Sequence, residues 1–438
     1  MEFGNLRLAE KENIVIKNGC IINPQTLDKF EADILISGGK IKEIKKNLVP
    51  GPGDAFKEIN AEGLYVCPGF TDMHVHLREP GNDGEEDINS GVKSALRGGI
   101  TSIACMPNTD PVLDSQHLIN YIKLKSKELN FNIYPVAAIT KDLSGEKLSE
   151  FGLLKSSGAA AFSDDGRCVQ NARLMYEAMK YATQFNALFI LHEEDYSFSG
   201  SGLVNEGYYS AMLGLEGISC FSEDLMVARD IMLAKAAGAR IHITHVSSAK
   251  TVDMIAKAKN DGVNITCDTT CEHLFFNDSC LTGYDTNFKI KPPIRSEADR
   301  MAIIKGLRQG TIDAIASDHA PHLLSEKNVS FKEAAFGSIG LETLFKASFS
   351  KLFFEEKFSI EKIISLISYN PAKILNIEGG AIETGRIANI SIIDTSCENI
   401  YKSDDIISRS KNSSFLGQNL KGEIKYTIAN GKVMFINN

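Results

Sequence analysis

The chain has 438 residues, 43% hydrophobic and 24% charged, with a formal net charge of -9 and a sequence pI near 5.6. This composition is that of an ordinary folded protein, and its acidic balance excludes a general binder of phosphate backbones, which needs concentrated Lys and Arg. A small anionic substrate held by local positive charge remains open.

At roughly 150 residues per domain the length allows about three domains, but α/β barrels reach this size as one unit. Nine cysteines scatter from Cys20 to Cys397 without a Cys-x-x-Cys pair, the pattern of reduced thiols in a cytoplasmic protein. Met1 to Glu12 alternates charges and lacks the apolar segment of a signal peptide. No apolar run approaches the roughly 18 residues of a membrane span, so a soluble, cytoplasmic protein with no membrane partner is expected.

Taken in chain order, Asn13 to about Val66 holds short β-rich runs separated by Asn-Gly, Gly-Gly and Pro-Gly turns. The same texture returns at Ala388–Ile393 and Ile424–Ile428, with Asn430-Gly431 placed as a hairpin turn before Val433. A small β-sandwich built from both ends, residues 1–66 and 380–438, is predicted.

Between them, strand-length apolar runs alternate with helical stretches. Tyr65–Cys67 leads into Thr71–His76; then come Thr101–Met106, Ile133–Ile139, Ala159–Phe162, Leu188–His192, Arg240–His245, Asn264–Cys267 and Ile312–Ser317. Helical patterns occupy Asn171–Gln184, Ser222–Ala237, Ala249–Asn260 and Glu297–Arg308. Eight strand–helix alternations imply a parallel sheet, and residues 67–379 are predicted to form an α/β fold of the (β/α)8 barrel type. The alternative, an open doubly wound sheet, lacks a Gly-rich phosphate fingerprint after the first strand. Cys267 and Cys271 would share a strand face and fill the barrel.

The chemistry gathers at the predicted strand ends. In Asp72-Met-His74-Val-His76 the period of two puts both imidazoles on one face, about 6.5 Å apart along the strand. His192, His245 and Asp318 each end a later strand, and Asp164 and Asp165 both end the fourth. Singly, each fits a satisfied strand-end polar group; together, four histidines and two or three carboxylates on one rim are enough donors for two divalent ions. Such a pair lowers the pKa of bound water and polarises a carbonyl, which points to making or breaking an amide. Asp318 is the candidate proton carrier. Arg78, two residues past His76, offers a bidentate fork for a substrate carboxylate, unless it merely pairs with Glu79 or Asp83. His242 is expected inside its strand and His117 on a helix surface.

Pro68-Gly-Phe-Thr-Asp-Met-His-Val-His-Leu-Arg-Glu-Pro-Gly81 and Ser317-Asp-His-Ala-Pro-His322 resemble the signatures of bacterial dihydroorotases of the long, amidohydrolase-like class. Met106-Pro-Asn-Thr109, Phe162-Ser-Asp-Asp-Gly166, His245-Val-Ser-Ser248 and Phe336-Gly337 follow in the family's order, so the resemblance spans nearly the whole chain. It implies a zinc enzyme with one or two ions, two being expected. His74 and His76 would hold one ion, His192 and His245 the other, Asp165 would bridge them, and Asp318 would be both ligand and proton shuttle. Arg78 and Asn108 would hold the substrate carboxylate, with His322 and the Phe336-Gly337 backbone on the ring. The reaction implied is the reversible closure of N-carbamoyl-L-aspartate to L-dihydroorotate in pyrimidine biosynthesis, by a homodimer.

Two departures fall on the substrate side. Many family members read Asn-Pro-Pro-Leu-Arg where this chain has Lys291-Pro-Pro-Ile-Arg295, and Ser-Pro-His-His-Leu where it has Thr270-Cys-Glu-His-Leu274. Lys291 is therefore a substrate-contact candidate acting as a point charge. Hydantoinases and allantoinases, the nearest alternative activity, usually place a carboxylated lysine at the end of the fourth strand, where this chain has Asp164 and Asp165. A catalytically silent partner of aspartate transcarbamoylase is the alternative from another class, and the complete ligand set argues against it.

Overall fold

The computed structural model describes residues 1–3, 12–49 and 56–437. Eight strands run Phe70–Val75, Ile100–Cys105, Asn132–Ala138, Ala161–Ser163, Leu188–Leu191, Arg240–Ile243, Ile265–Thr270 and Ala314–Ala316. Each pairs in parallel with the next. The eighth returns to the first through a parallel bridge from Val75 to His319, and the His76 amide donates to the His319 carbonyl at 2.9 Å. The (β/α)8 barrel is therefore the observed fold, and the open sheet is excluded.

Two apolar layers explain the closure. Met73, Ala104, Val136, Ala161, Leu188, Ile190 and Ala314 pack in the barrel interior. Ile103, Ile133, Phe162, Phe189, Ile241 and Ile265 belong to a second, larger cluster that joins the strands to the surrounding helices. Alternation of small and branched residues inside with aromatics outside is what a strand buried on both faces requires.

The helices start where their caps lie. Asn171 accepts from the Arg173 and Leu174 amides, Ser248 from Lys250 and Ser296 from Asp299, opening helices Ala172–Ala182, Ala249–Asn260 and Glu297–Gln309. These side chains meet amides that have no partner within the helix.

The chain ends form one continuous nine-stranded sheet whose outer members include Glu2–Phe3 and Lys40–Lys45. Its wings close on a shared core of Ile14, Ile34, Ile36, Val66, Ile390, Ile392, Ile428 and Val433. The Asn430-Gly431 turn has φ 50 and 79, the doubly left-handed backbone of a tight hairpin.

Two expectations change. Tyr65–Pro68 pairs antiparallel with Ile390–Ile393 and belongs to the chain-end sheet rather than leading a barrel strand; Gly69 separates the two. Cys271 is not on a strand with Cys267, because the seventh strand ends at Thr270 and Cys271 opens the helix Cys271–Phe275. Both thiols pack in the layer between strands and helices, not inside the barrel. His242 is wholly buried within its strand and His117 is exposed on helix Gln116–Glu128, both as read from the sequence.

Candidate metal centre and its cavity

The first strand delivers His74 and His76 to one rim, with ring centres 5.2 Å apart. Asp165 lies between them and the histidines of the fifth and sixth strands. Its Oδ1 is 3.3 Å from His74 Nε2, 3.6 Å from His192 Nδ1 and 3.9 Å from His245 Nε2, while Oδ2 is 3.4 Å from His76 Nε2. Asp318 Oδ1 is 3.2 Å from His76 Nε2 and 3.4 Å from His74 Nε2. Three overlapping donor groups result: His74, His76 and Asp165; His74, His245 and Asp318; and Asp165, His192 and His245. His74, His245 and Asp165 each belong to two of them, and of the three only Asp165 offers two oxygens, as a bridging carboxylate needs.

Asp164 and Asp165, equivalent in the sequence, take separate tasks. Asp164 turns away, accepting from the Ile139 amide at 2.8 Å, the Thr140 amide at 3.0 Å and the Thr140 hydroxyl. Burial nevertheless pushes its carboxyl up to about 6.

The histidine nitrogens are aimed by groups behind them. Asp268, on the seventh strand, accepts from the Thr244 hydroxyl at 3.2 Å; that hydroxyl in turn lies 2.8 Å from His74 Nδ1, leaving Nε2 for the cluster. Asp268 also takes the His245 amide at 2.6 Å and sits 2.8 Å from His242 Nε2. Asn108 Oδ1 accepts from His76 Nδ1 at 2.8 Å, so this predicted substrate contact also orients a ligand. Partners of this kind fix the ring and its tautomer. Asp72 joins the walls, accepting from the His74 and Ser317 amides at 3.2 and 3.1 Å.

The donor set fits divalent cations. His74 Nε2 and Asp165 Oδ1 are buried without a hydrogen-bond partner, a costly condition that a cation between them removes. The electrostatics agree: burial opposes charge on His74, yet Asp165 and Asp318 hold it up to about 9. Burial likewise opposes charge on His192, which Asp165 and Glu194 hold at about 10. The site stabilises positive charge out of reach of bulk water.

Three site residues depart from ordinary backbone. Arg78, His245 and Asp318 have φ of 61, 42 and 45. Left-handed backbone at such residues costs of order 1–3 kcal/mol each, and persists where the surroundings enforce it.

Above the cluster lies a cavity of about 240 Å³ lined by His76, Arg78, Asn108, Lys291, His322 and Phe336 among others. All the predicted substrate residues therefore meet there. Arg78 pairs with neither Glu79 nor Asp83; its Nε is 2.9 Å from Glu85 Oε2 and donates to the Pro321 carbonyl at 3.1 Å. His322 is driven down to about 4 by burial and by Arg78, and its Nε2 donates to the Phe336 carbonyl at 2.8 Å. The Gly337 amide is taken by the Lys289 carbonyl at 2.9 Å. Gly337 has φ 148, and a Cβ there would lie 2.8 Å from the Ala320 carbonyl oxygen, so only glycine fits this wall.

Lys291 Nζ is 2.6 Å from Glu194 Oε1 and 5.1 Å from the Phe336 ring centre. Glu272 also lines the cavity, pushed up to about 7 by burial. Residues 323–335, between the lining residues His322 and Phe336, are fastened by two lysines: Lys289 donates to the Phe331 and Lys332 carbonyls at 2.9 Å, and Lys327 to the Ala335 carbonyl at 2.8 Å.

Thr244, Asp268 and Glu194 were not singled out in the sequence. Asp268 shares the inward face of its strand with Thr266, and both meet the buried His242 of the neighbouring strand. Glu194 shares with His192 the two-residue spacing of His74 and His76.

Residues 63–251 match the family model described as dihydro-orotase-like. A protein named dihydroorotase from Caldicellulosiruptor saccharolyticus is 45% identical over 423 residues, covering 96% of this chain and 98% of that one. One of the same name from Acetivibrio thermocellus is 44% identical over equal shares. Among solved structures, an L-hydantoinase from Arthrobacter aurescens superposes with a TM-score of 0.84, covering 98% of each chain at 22% identity, a likeness of fold. With relatives of that identity along nearly its full length, the chain belongs to the dihydroorotase family, whose amidohydrolase chemistry depends on metal.

Proposed function

We propose that this chain is a dihydroorotase, catalysing the reversible cyclisation of N-carbamoyl-L-aspartate to L-dihydroorotate in pyrimidine biosynthesis. The observation that carries the reading is Asp165 shared among four imidazoles on the floor of a cavity whose wall holds Arg78. Among the described lining residues Lys291 is the single lysine, and it sits on Glu194 rather than at the end of the fourth strand, which disfavours the hydantoinase arrangement.

His74, His76, Asp165, His192, His245 and Asp318 would hold two zinc ions, which supply Lewis acidity to activate water and polarise the amide carbonyl. In ring opening a C–O bond forms from water to the ring carbonyl carbon and the C–N bond breaks. Asp318 takes the proton from the attacking water and returns it to the departing nitrogen. Its side chain is 19% exposed toward the cavity against 5% for Asp165, so Asp318 is the carboxylate a substrate can reach. Arg78 and Asn108 hold the substrate carboxylate; Lys291, His322, Phe336 and Gly337 form the wall beside the ring. In the biosynthetic direction the same proton moves back and water departs.

Catalysis resides in the barrel that begins at Phe70, after the strand Tyr65–Pro68 has paired into the supporting sheet built from the chain ends. No described helix is long and apolar enough to cross a membrane; a cytoplasmic location belongs to the proposal. The reading includes a homodimer, the commonest closed assembly, and aspartate transcarbamoylase as an associating partner; light scattering with and without that enzyme tests both. The decisive experiment is ring opening by zinc-loaded protein of dihydroorotate, hydantoin and allantoin side by side. Turnover of dihydroorotate alone is expected; turnover only of the other two overturns the assignment.

A further inference from the structure

The lysine that stands where an amide is usual in the family is not simply an open charge facing the cavity. Lys291 Nζ is 2.6 Å from Glu194 Oε1, and the carboxylate's other oxygen, Oε2, is 3.3 Å from His192 Nε2. The opposite ring nitrogen, His192 Nδ1, faces Asp165 Oδ1 at 3.6 Å and His245 Nε2 at 2.9 Å. Glu194 therefore bridges an ammonium on the cavity wall and an imidazole on its floor.

We infer that Lys291 is a positioning residue: through Glu194 it fixes the ring of His192 with Nε2–H turned outward and Nδ1 turned toward the cation site. This rests on the reading of His192 as a ligand. A carboxylate that accepts from a ligating histidine decides which nitrogen carries the proton and how the ring is turned. Glu194 alone could swing about its side-chain torsions. With one oxygen committed to Lys291 and its own backbone carbonyl held by Gln170 Nε2 at 2.8 Å, it has one place left for the other oxygen. Lys291 is itself steadied over the Phe336 ring, 5.1 Å from its centre.

The pairing also bears on the substrate. Glu194 is only 8% exposed and offsets the ammonium at close range, so the pair presents little net charge to an incoming carboxylate. An asparagine at 291 would offer a shorter, neutral arm and would not tie Glu194 electrostatically. The substitution thus moves the position from contacting substrate toward holding a ligand.

The test uses full-length protein loaded with cobalt(II), whose visible spectrum reports ligand geometry, followed by zinc release to a chromogenic chelator. For Lys291→Met, a changed cobalt spectrum is expected, with affinity for one ion weakened about 10-fold, as when a ligand's supporting partner is lost. In the same variant kcat for dihydroorotate falls while KM stays within about twofold, the signature of a group that does not contribute to ground-state binding. Lys291→Arg, which can still reach the carboxylate, restores the spectrum. If Lys291→Met fails to fold, Glu194→Gln is read in the same way. An unchanged spectrum and unchanged zinc release with a raised KM would make Lys291 a substrate contact and overturn the inference. If instead His192→Ala leaves the cobalt spectrum untouched, the reading of the metal centre itself is what fails.

Discussion

The floor and the wall of the cavity are built differently. Floor residues His74, His192 and His245 sit at or just past the ends of barrel strands, and each is held from behind by another side chain or carboxylate. Wall residues Arg78, Asn108, Lys291, His322 and Phe336 lie on connections, held by carbonyls, ion pairs and, for Asn108, the His76 ring of the floor. Reactive geometry is fixed by the barrel; the shape that selects substrate is fixed by loops laid over it. Substitutions at Arg78 or Phe336 should therefore alter substrate preference while the floor stays intact, whereas Asn108 and Lys291 tie wall to floor through His76 and through Glu194.

That contrast can be broken at its strongest point first. Asp165→Ala should abolish ring opening and release both ions together, checked by metal analysis beside dihydroorotate turnover; loss of a single ion would deny Asp165 its shared place. Asp318→Ala should lower kcat by about 10²- to 10⁴-fold, the range for a lost general acid–base. Intact turnover would remove Asp318 from the proton path. On the wall, Arg78→Met should cost about 10- to 100-fold in kcat/KM, chiefly through KM, from a lost hydrogen bond to a charged group of about 1.5–3 kcal/mol. A fall in kcat alone would move Arg78 from the wall to the floor.

The smallest effect sharpens the comparison by lying outside both. In the chain-end sheet Asp33 accepts from the Asn18 and Leu48 amides at 2.8 Å and from Lys17 at 3.3 Å. Burial opposes its charge, but those bonds hold its carboxyl below the usual range. A depressed folded pKa stabilises above the unfolded value of about 3.9 and ceases to do so as pH falls through the folded value. Asp33→Asn should cost about 1–3 kcal/mol at pH 7, a difference that shrinks below about pH 4 in denaturant titrations. Turnover at pH 7 should be unaffected.

Legibility in the sequence followed the same division. The strand period alone placed His74 and His76 on one face, and alternation with helices located every barrel strand to within a few residues. It could not separate Asp164 from Asp165, because the backbone turn after Ser163 decides which one faces inward. Nor could it find Glu85 as the partner of Arg78, since that pairing depends on how a connection folds back. Thr244 and Asp268 escaped because each supports another residue across strands, and local periodicity does not register such pairs. Tyr65–Pro68 misled because a buried apolar run reads alike in either sheet.

Arg78, His245 and Asp318 keep backbones that glycine would hold with less strain. The fold carries this cost only for the side chains these positions display. A mutant library screened for survival of heating alone should therefore drift toward glycine there, enriching proteins that outlast the parent and no longer turn anything over.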